Sequence, residues 1–226
     1  MDFGDFSALI ILLPFLFGLL RFKHFDKSLK WLFCFVAYGV ANETFSLISK
    51  YLDIINTMPR RHLYTFISFL FLGLFYNSLF KGFFRKNWIL TIVVLYELYF
   101  LINSFFIRGI FEYPAMARAI SIIIIVLFSI LYFYKTMVEA KISSLFDEPQ
   151  IWINAAILIY FSGNLFFHIL FNVIFENSPE FGKLTFFYLR ILNAIFYVLI
   201  AVGFYLCKSD NRSESIGKME SLKHNL

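Results

Sequence analysis

The chain has 226 residues, of which 60% are hydrophobic, 22% aromatic and only 15% charged, with a formal net charge of +5. Globular domains carry about 25% charged and 45–50% apolar residues, so this composition excludes an ordinary soluble domain and calls for apolar solvent outside as well as a core inside. Nearly the whole length is consumed by apolar stretches, which leaves no room for a separate catalytic or nucleic-acid-binding module.

Seven stretches are apolar enough to cross a bilayer: residues 6–20, 31–49, 63–80, 88–107, 115–134, 151–175 and 184–207. A spanning helix takes about 20 residues, so the first is short and must recruit Asp5 or Arg21 by snorkelling. The runs are continuous rather than alternating, which favours helices over a barrel. The expected fold class is all-α, a polytopic seven-transmembrane-helix bundle over residues 1–207. A disordered tail over 208–226 is expected to follow it, because Ser, Asn and charges of both signs replace apolar residues there.

Asp2 and Asp5 flank the first stretch where a secretory signal would be basic, so a retained helix is expected, bent at Pro14. Pro114 and Pro149 are placed at helix starts, Pro59 and Pro179 in loops. The segments after stretches one, three and five, together with the tail, hold 13 Lys or Arg against 5 at the N-terminal end and in the other three loops. The positive-inside rule then puts the N-terminus outside and the C-terminus in the cytoplasm. Topology also accounts for the pI of about 9.1, so no nucleic-acid partner is expected. Cys34 and Cys207 fall near cytoplasmic helix ends, outside any extracellular disulfide, and Cys207 reads as a small apolar residue with acylation as the alternative. Within residues 135–146, Met137, Val138, Ile142, Leu145 and Phe146 recur at helical spacing, as in a cytoplasmic extension that lies on the membrane or on a signalling partner.

Ionisable groups inside the spans carry the most information, because each costs roughly 2.5–3.5 kcal/mol at the bilayer centre. Glu43, Glu97, Arg118, Arg190 and His168 are such groups, and two acids against two arginines suggest pairs such as Glu43 with Arg190 or Glu97 with Arg118. In the sixth stretch Tyr160, Asn164, His168 and Asn172 recur every four residues, and in the seventh Arg190, Asn193 and Tyr197 share a face. With Asn42, Thr65 and Asn103 added, most of this polarity falls in the outer half of the bilayer. The expectation is a polar pocket opening outward, ringed by Phe and Tyr; the competing expectation is a buried network that locks helix register. A proton or ion path would need acids through the inner half, where 69–80 and 122–134 are uncharged.

Familiar chemistries fall away. A retinal protein needs a lysine within the seventh helix, whereas Lys183 and Lys208 stand at its ends. A zinc hydrolase needs three or four clustered ligands, and of the four histidines only His168 lies deep in a stretch, so no metal site is expected. Ser162 and His168 are six residues apart and fall on different sides of one helix. Pro149–Gln150 matches the dipeptide of small sugar and amino-acid transporters but occurs once, without a three-helix repeat. No catalytic constellation and no cofactor are expected.

The run from Ile151 to Phe167, with Trp152, Asn154 and the core Tyr160, Phe161, Ser162, Gly163 and Asn164, resembles the signature stretch of an uncharacterised family of small polytopic bacterial membrane proteins. Glu43 in the second helix, His62 opening an aromatic-rich third and Arg118 opening the fifth extend the resemblance over most of the chain; Phe69 to Leu72 depart from it, where similar proteins often carry an acid. The resemblance implies seven helices, a bacterial inner-membrane location and a signalling context. The function expected is therefore a non-enzymatic sensor or binding component for a small or lipidic ligand, in contact with membrane lipid and a cytoplasmic partner. A carrier is the alternative, and an intramembrane enzyme using Glu43 or Glu97 as general base is a third reading.

Overall fold

The computed structural model describes residues 9–53, 56–83, 87–107, 109–139, 147–177 and 179–207, with side chains at all of these except 166–184 and 186. Among the described residues seven α-helices follow one another: α1 (Leu12–Arg21), α2 (Lys27–Tyr51), α3 (Met58–Leu79), α4 (Trp88–Ile102), α5 (Ala115–Glu139), α6 (Pro149–Asn177) and α7 (Pro179–Leu206). No strand occurs among the described residues. Among the described residues five helices are long and apolar enough to cross a membrane, namely α2, α3, α4 with its π-helical extension Asn103–Ile107, α5 and the Phe187–Leu206 portion of α7. Large apolar side chains face outward along the bundle, including Leu16, Leu20, Leu95, Phe106 and Ile130, as an integral membrane protein requires.

Helix boundaries follow local chemistry. Asp26 caps α2, accepting from the Leu29 backbone N–H at 2.8 Å, which occupies one of the donors that a helix start leaves open. Pro114 and Pro149 stand at helix starts as expected, while the other three prolines settle differently. Pro14 lies in the first turn of α1, after a turn at Ile10–Ile11, where its missing N–H breaks no intrahelical bond. Pro59 is inside the first turn of α3, which starts five residues before the expected stretch and takes Arg60, Arg61 and His62 into the helix; Pro179 opens α7. At the other end of α3 the Leu79 carbonyl accepts from Lys135 Nζ, whose ammonium also lies 6.0 Å from the Phe80 ring centre.

Packing closes six helices into a ring, α1–α2–α3–α5–α6–α7 and back to α1, while α4 lies outside it against α3. Lipid tails are as apolar as leucine, so only close fit and polar bonds hold such helices together. At Gly203 of α7 a Cβ would stand 2.6 Å from Ile153 Cγ1 and 3.0 Å from the Pro149 carbonyl oxygen, so only glycine permits that approach of α6. Aromatic rings fill the interior: Tyr160 stacks on Phe196 with centroids 4.4 Å apart, and Phe25 meets Phe204 at 4.8 Å.

Candidate functional site

A cavity of about 50 Å³ lies inside the ring, lined from α2 by Phe35, from α3 by Tyr64, Thr65 and Ser68, from α5 by Arg118 and Ser121, from α6 by Tyr160 and Asn164, and from α7 by Phe196 and Tyr197. Arg118 is in electrostatic contact with Tyr113, Tyr160 and Tyr64, and Tyr64 meets Tyr197 through their hydroxyls. Glu43 acts on Tyr64, Tyr160 and Tyr197 from α2, so it faces this group too. The result is one guanidinium surrounded by phenol hydroxyls, with Ser68 Oγ buried at the wall beside Tyr64. A cavity of this size holds a few waters, since one needs only about 10–15 Å³.

The eight polar residues singled out from the sequence separate. Arg118 and Asn164 line the cavity, and the Asn164 amide donates to the Tyr160 carbonyl one turn back at 2.8 Å. Glu43 is drawn to Arg60 rather than Arg190. Arg190 is exposed on the lipid-facing side of α7, where its long stem lets the guanidinium reach the interface. Asn193 is half-buried and outside the cavity lining. Glu97 is elsewhere altogether: it shares with Val93 and Phe100 the face of α4 that packs on α3, is 7% exposed, and neither carboxylate oxygen has a hydrogen-bond partner among the described residues. Neither suggested pair, Glu43 with Arg190 or Glu97 with Arg118, forms among the described residues; the one ion pair there is Lys135–Glu139, at 4.0 Å. The side chains of His168 and Asn172 and the segment 140–146 lie outside the described residues.

Three polar clusters were not assembled from the sequence, although Asn154, Gln150 and His62 each stood out in it. Tyr76 donates to Asn154 Oδ1 at 2.8 Å, and Asn154 Nδ2 donates to the Ser129 carbonyl at 3.0 Å, all in the dry interior between α3, α5 and α6. Near the start of α6, Gln150 donates to Asp26 Oδ2 at 3.1 Å and accepts from Tyr132 at 3.3 Å, while Ser28 donates to Asp26 at 2.8 Å. Burial, and then neighbouring Asp26, push the Glu148 carboxyl above the usual carboxylate range. His62 bonds the Glu112 carbonyl through Nε2 at 2.8 Å and Ser104 Oγ through Nδ1 at 2.9 Å. The carbonyl only accepts, so Nε2 carries the hydrogen, and in the neutral ring Nδ1 accepts from the hydroxyl. A signal existed for Asp26, which precedes an apolar run as N-caps do. No signal paired these residues, which are up to 124 apart in sequence.

No family model, curated protein or solved structure matches this chain.

Proposed function

We propose that this is a non-enzymatic sensor of the bacterial inner membrane, with seven crossings, an external N-terminus and a cytoplasmic C-terminus, which binds a small or lipidic ligand and reports to a cytoplasmic partner. The observation that carries the reading is the cavity enclosed by five helices, in which the Arg118 cation faces Tyr64 and Tyr160 and Tyr197 lines the same space. Those groups recognise an anionic or polar head, and Phe35 and Phe196 an apolar body. Ligand sites usually measure about 300–1,000 Å³, so a cavity of about 50 Å³ corresponds to a closed packing. Ligand entry then means repacking α5, α6 and α7, and a ligand that binds the open packing better shifts the population toward it. The movement would reach the cytoplasm through α5 and the 135–146 segment that follows it.

The test is purification from native membranes in mild detergent, followed by mass spectrometry of stoichiometric proteins and small molecules. A kinase or other cytoplasmic effector that leaves when 135–146 is replaced supports the sensor. A chain that copurifies with no effector, before and after addition of the metabolites found with it, overturns it.

One observation favours a carrier as the second reading. Polar side chains continue below the cavity, past the apolar level of Leu72 and Ile125, through Tyr76, Ser129 and Asn154 to Tyr132, Gln150 and Asp26. A route that opens alternately to the two faces would use such a column. Counterflow of a labelled substrate in proteoliposomes distinguishes it from a sensor, which moves nothing.

A further inference from the structure

A second, larger cavity lies apart from the central one. It measures about 480 Å³ and is a cleft between the C-terminal half of α2 and the start of α3, lined by Tyr38, Ala41, Phe45, Ser49, Arg60 and Leu63 among others. From Tyr38 to Ser49 it runs 11 residues along α2, about 16 Å at 1.5 Å per residue. That is close to the thickness of one leaflet's hydrocarbon, half of about 30 Å. Its walls open sideways, with Phe45 51% and Leu63 54% exposed. Engineered apolar cavities of about 150 Å³ take a benzene, so an acyl chain fits here.

One wall of the cleft carries a cation. Arg60 donates from Nη1 to Asn42 Oδ1 at 2.8 Å and to the Asn42 carbonyl at 3.2 Å, and from Nη2 to Ser46 Oγ at 3.3 Å. All three acceptors are neutral, Nε has none, and no carboxylate stands within ion-pairing distance among the described residues. The surrounding charges that act on one another are Arg60, Arg61 and Arg118 against the single carboxylate of Glu43. A guanidinium hydrogen-bonded only to neutral acceptors, in the wall of a cleft that also presents Ala41, Phe45 and Leu63, matches the two parts of one molecule, a phosphate head and a hydrocarbon tail.

We propose that the α2/α3 cleft is a binding site for an anionic glycerophospholipid, its phosphate held by Arg60 and one acyl chain lying along Ala41, Phe45 and Leu63. Tyr38, in the cleft, stacks on Tyr64, in the central cavity, at 5.8 Å and 15°, so lipid in one is felt at the wall of the other. The site stands whether or not the central cavity takes a ligand.

Native mass spectrometry of the full chain, released from nanodiscs of phosphatidylglycerol or of phosphatidylcholine, tests it. The expected result is one phosphatidylglycerol retained per chain in preference to phosphatidylcholine. Retention should fall about tenfold in Arg60→Gln, which removes a charge-assisted contact, and comparably in Leu63→Trp, which fills the cleft while leaving Arg60 and its bonds in place. Arg118→Gln in the central cavity should retain lipid like the parent chain, which separates this site from the proposed sensing site. Should Arg60→Gln fail to fold, Leu63→Trp and Ala41→Trp decide the matter. Equal retention of the two lipids, or full retention in the cleft-filling variants, overturns the proposal. So do displacement by millimolar inorganic phosphate alone, which would mark a simple anion site, and a dimer that forms through the cleft and excludes lipid.

Discussion

The Tyr76 hydroxyl donates to Asn154 Oδ1 at 2.8 Å, and neither side chain has any exposed surface. Asn154 then completes a two-way bond with α5, donating to the Ser129 carbonyl at 3.0 Å while Ser129 Oγ donates to the Asn154 carbonyl at 3.2 Å. One asparagine thus ties three helices at a level where no water competes. Single interhelical bonds of this kind contribute about 0.6 kcal/mol on average and up to about 1.7. Tyr76→Phe should lower stability by roughly that range, and Asn154→Leu by more, because it strands the Tyr76 hydroxyl and also removes the Nδ2 bond to the Ser129 carbonyl. Thermal unfolding in detergent reads both; an unchanged Tm in Asn154→Leu would mean the cluster holds nothing together.

Glu97 presents the opposite situation. Its carboxylate oxygens are buried against α3 without a partner among the described residues, and an unsatisfied buried polar group costs about 1–3 kcal/mol, more if charged. Glu97→Leu should therefore stabilise the purified bundle, by on the order of 1–3 kcal/mol. A lower Tm would show that the carboxylate has a partner in the membrane, such as a second copy of the chain.

At the start of α6, outside the spans, burial and neighbouring Asp26 raise the Glu148 carboxyl. Between its unfolded and its raised folded pKa, the folded chain holds the proton more tightly than the unfolded one. Its contribution to stability is thus full below the unfolded value and is lost as pH rises through the folded one. Tm should decline as pH rises out of the ordinary carboxylate range, and Glu148→Gln should flatten that dependence. Equal slopes in the two proteins would remove Glu148 as its source.

The α6–α7 contact at Gly203 leaves no room for a side chain, because backbone as well as Ile153 stands in the way. Gly203→Val should cost about 1–3 kcal/mol or more, as overpacked cores do. Paired with Ile153→Ala, which frees space on one side only, it should recover part of the loss. Full recovery would mean the Pro149 carbonyl is no obstacle.

Much of the helical organisation was legible because it is local. A continuous apolar run in lipid must satisfy its backbone within itself, so the α2 to α7 helices cover the expected stretches and differ mainly at the ends. The ends moved where capping and proline chemistry, rather than hydropathy, decides: α3 begins at Met58 because Pro59 fits a first turn, and α2 at Lys27 behind Asp26. The candidate site was legible only in part. Arg118, Asn164 and Tyr197 meet at the cavity as their positions suggested, while Arg190 and Asn193, on the same predicted stripe as Tyr197, do not line it. Over seven residues a 3.6-residue helix drifts from a fixed face by about 20°, and in a tight ring the packing of neighbours decides which edge of a stripe turns inward.

By itself, then, the sequence determined a helical chain made for lipid, the approximate extent of each helix, and the polar groups its interior would have to accommodate. Apolar composition and backbone self-satisfaction are properties of each segment alone, which is why they needed no partner to be read. Only the tertiary structure decided that α4 stands outside the ring, which separates Glu97 from Arg118. It also decided that Arg60 meets Asn42 and Ser46, and that Asn154 finds Tyr76 across 78 residues of sequence. Those choices depend on the rotation of each helix about its own axis and on the order of its neighbours. Both are set by close packing summed over many weak contacts along the whole bundle, and no single segment encodes them.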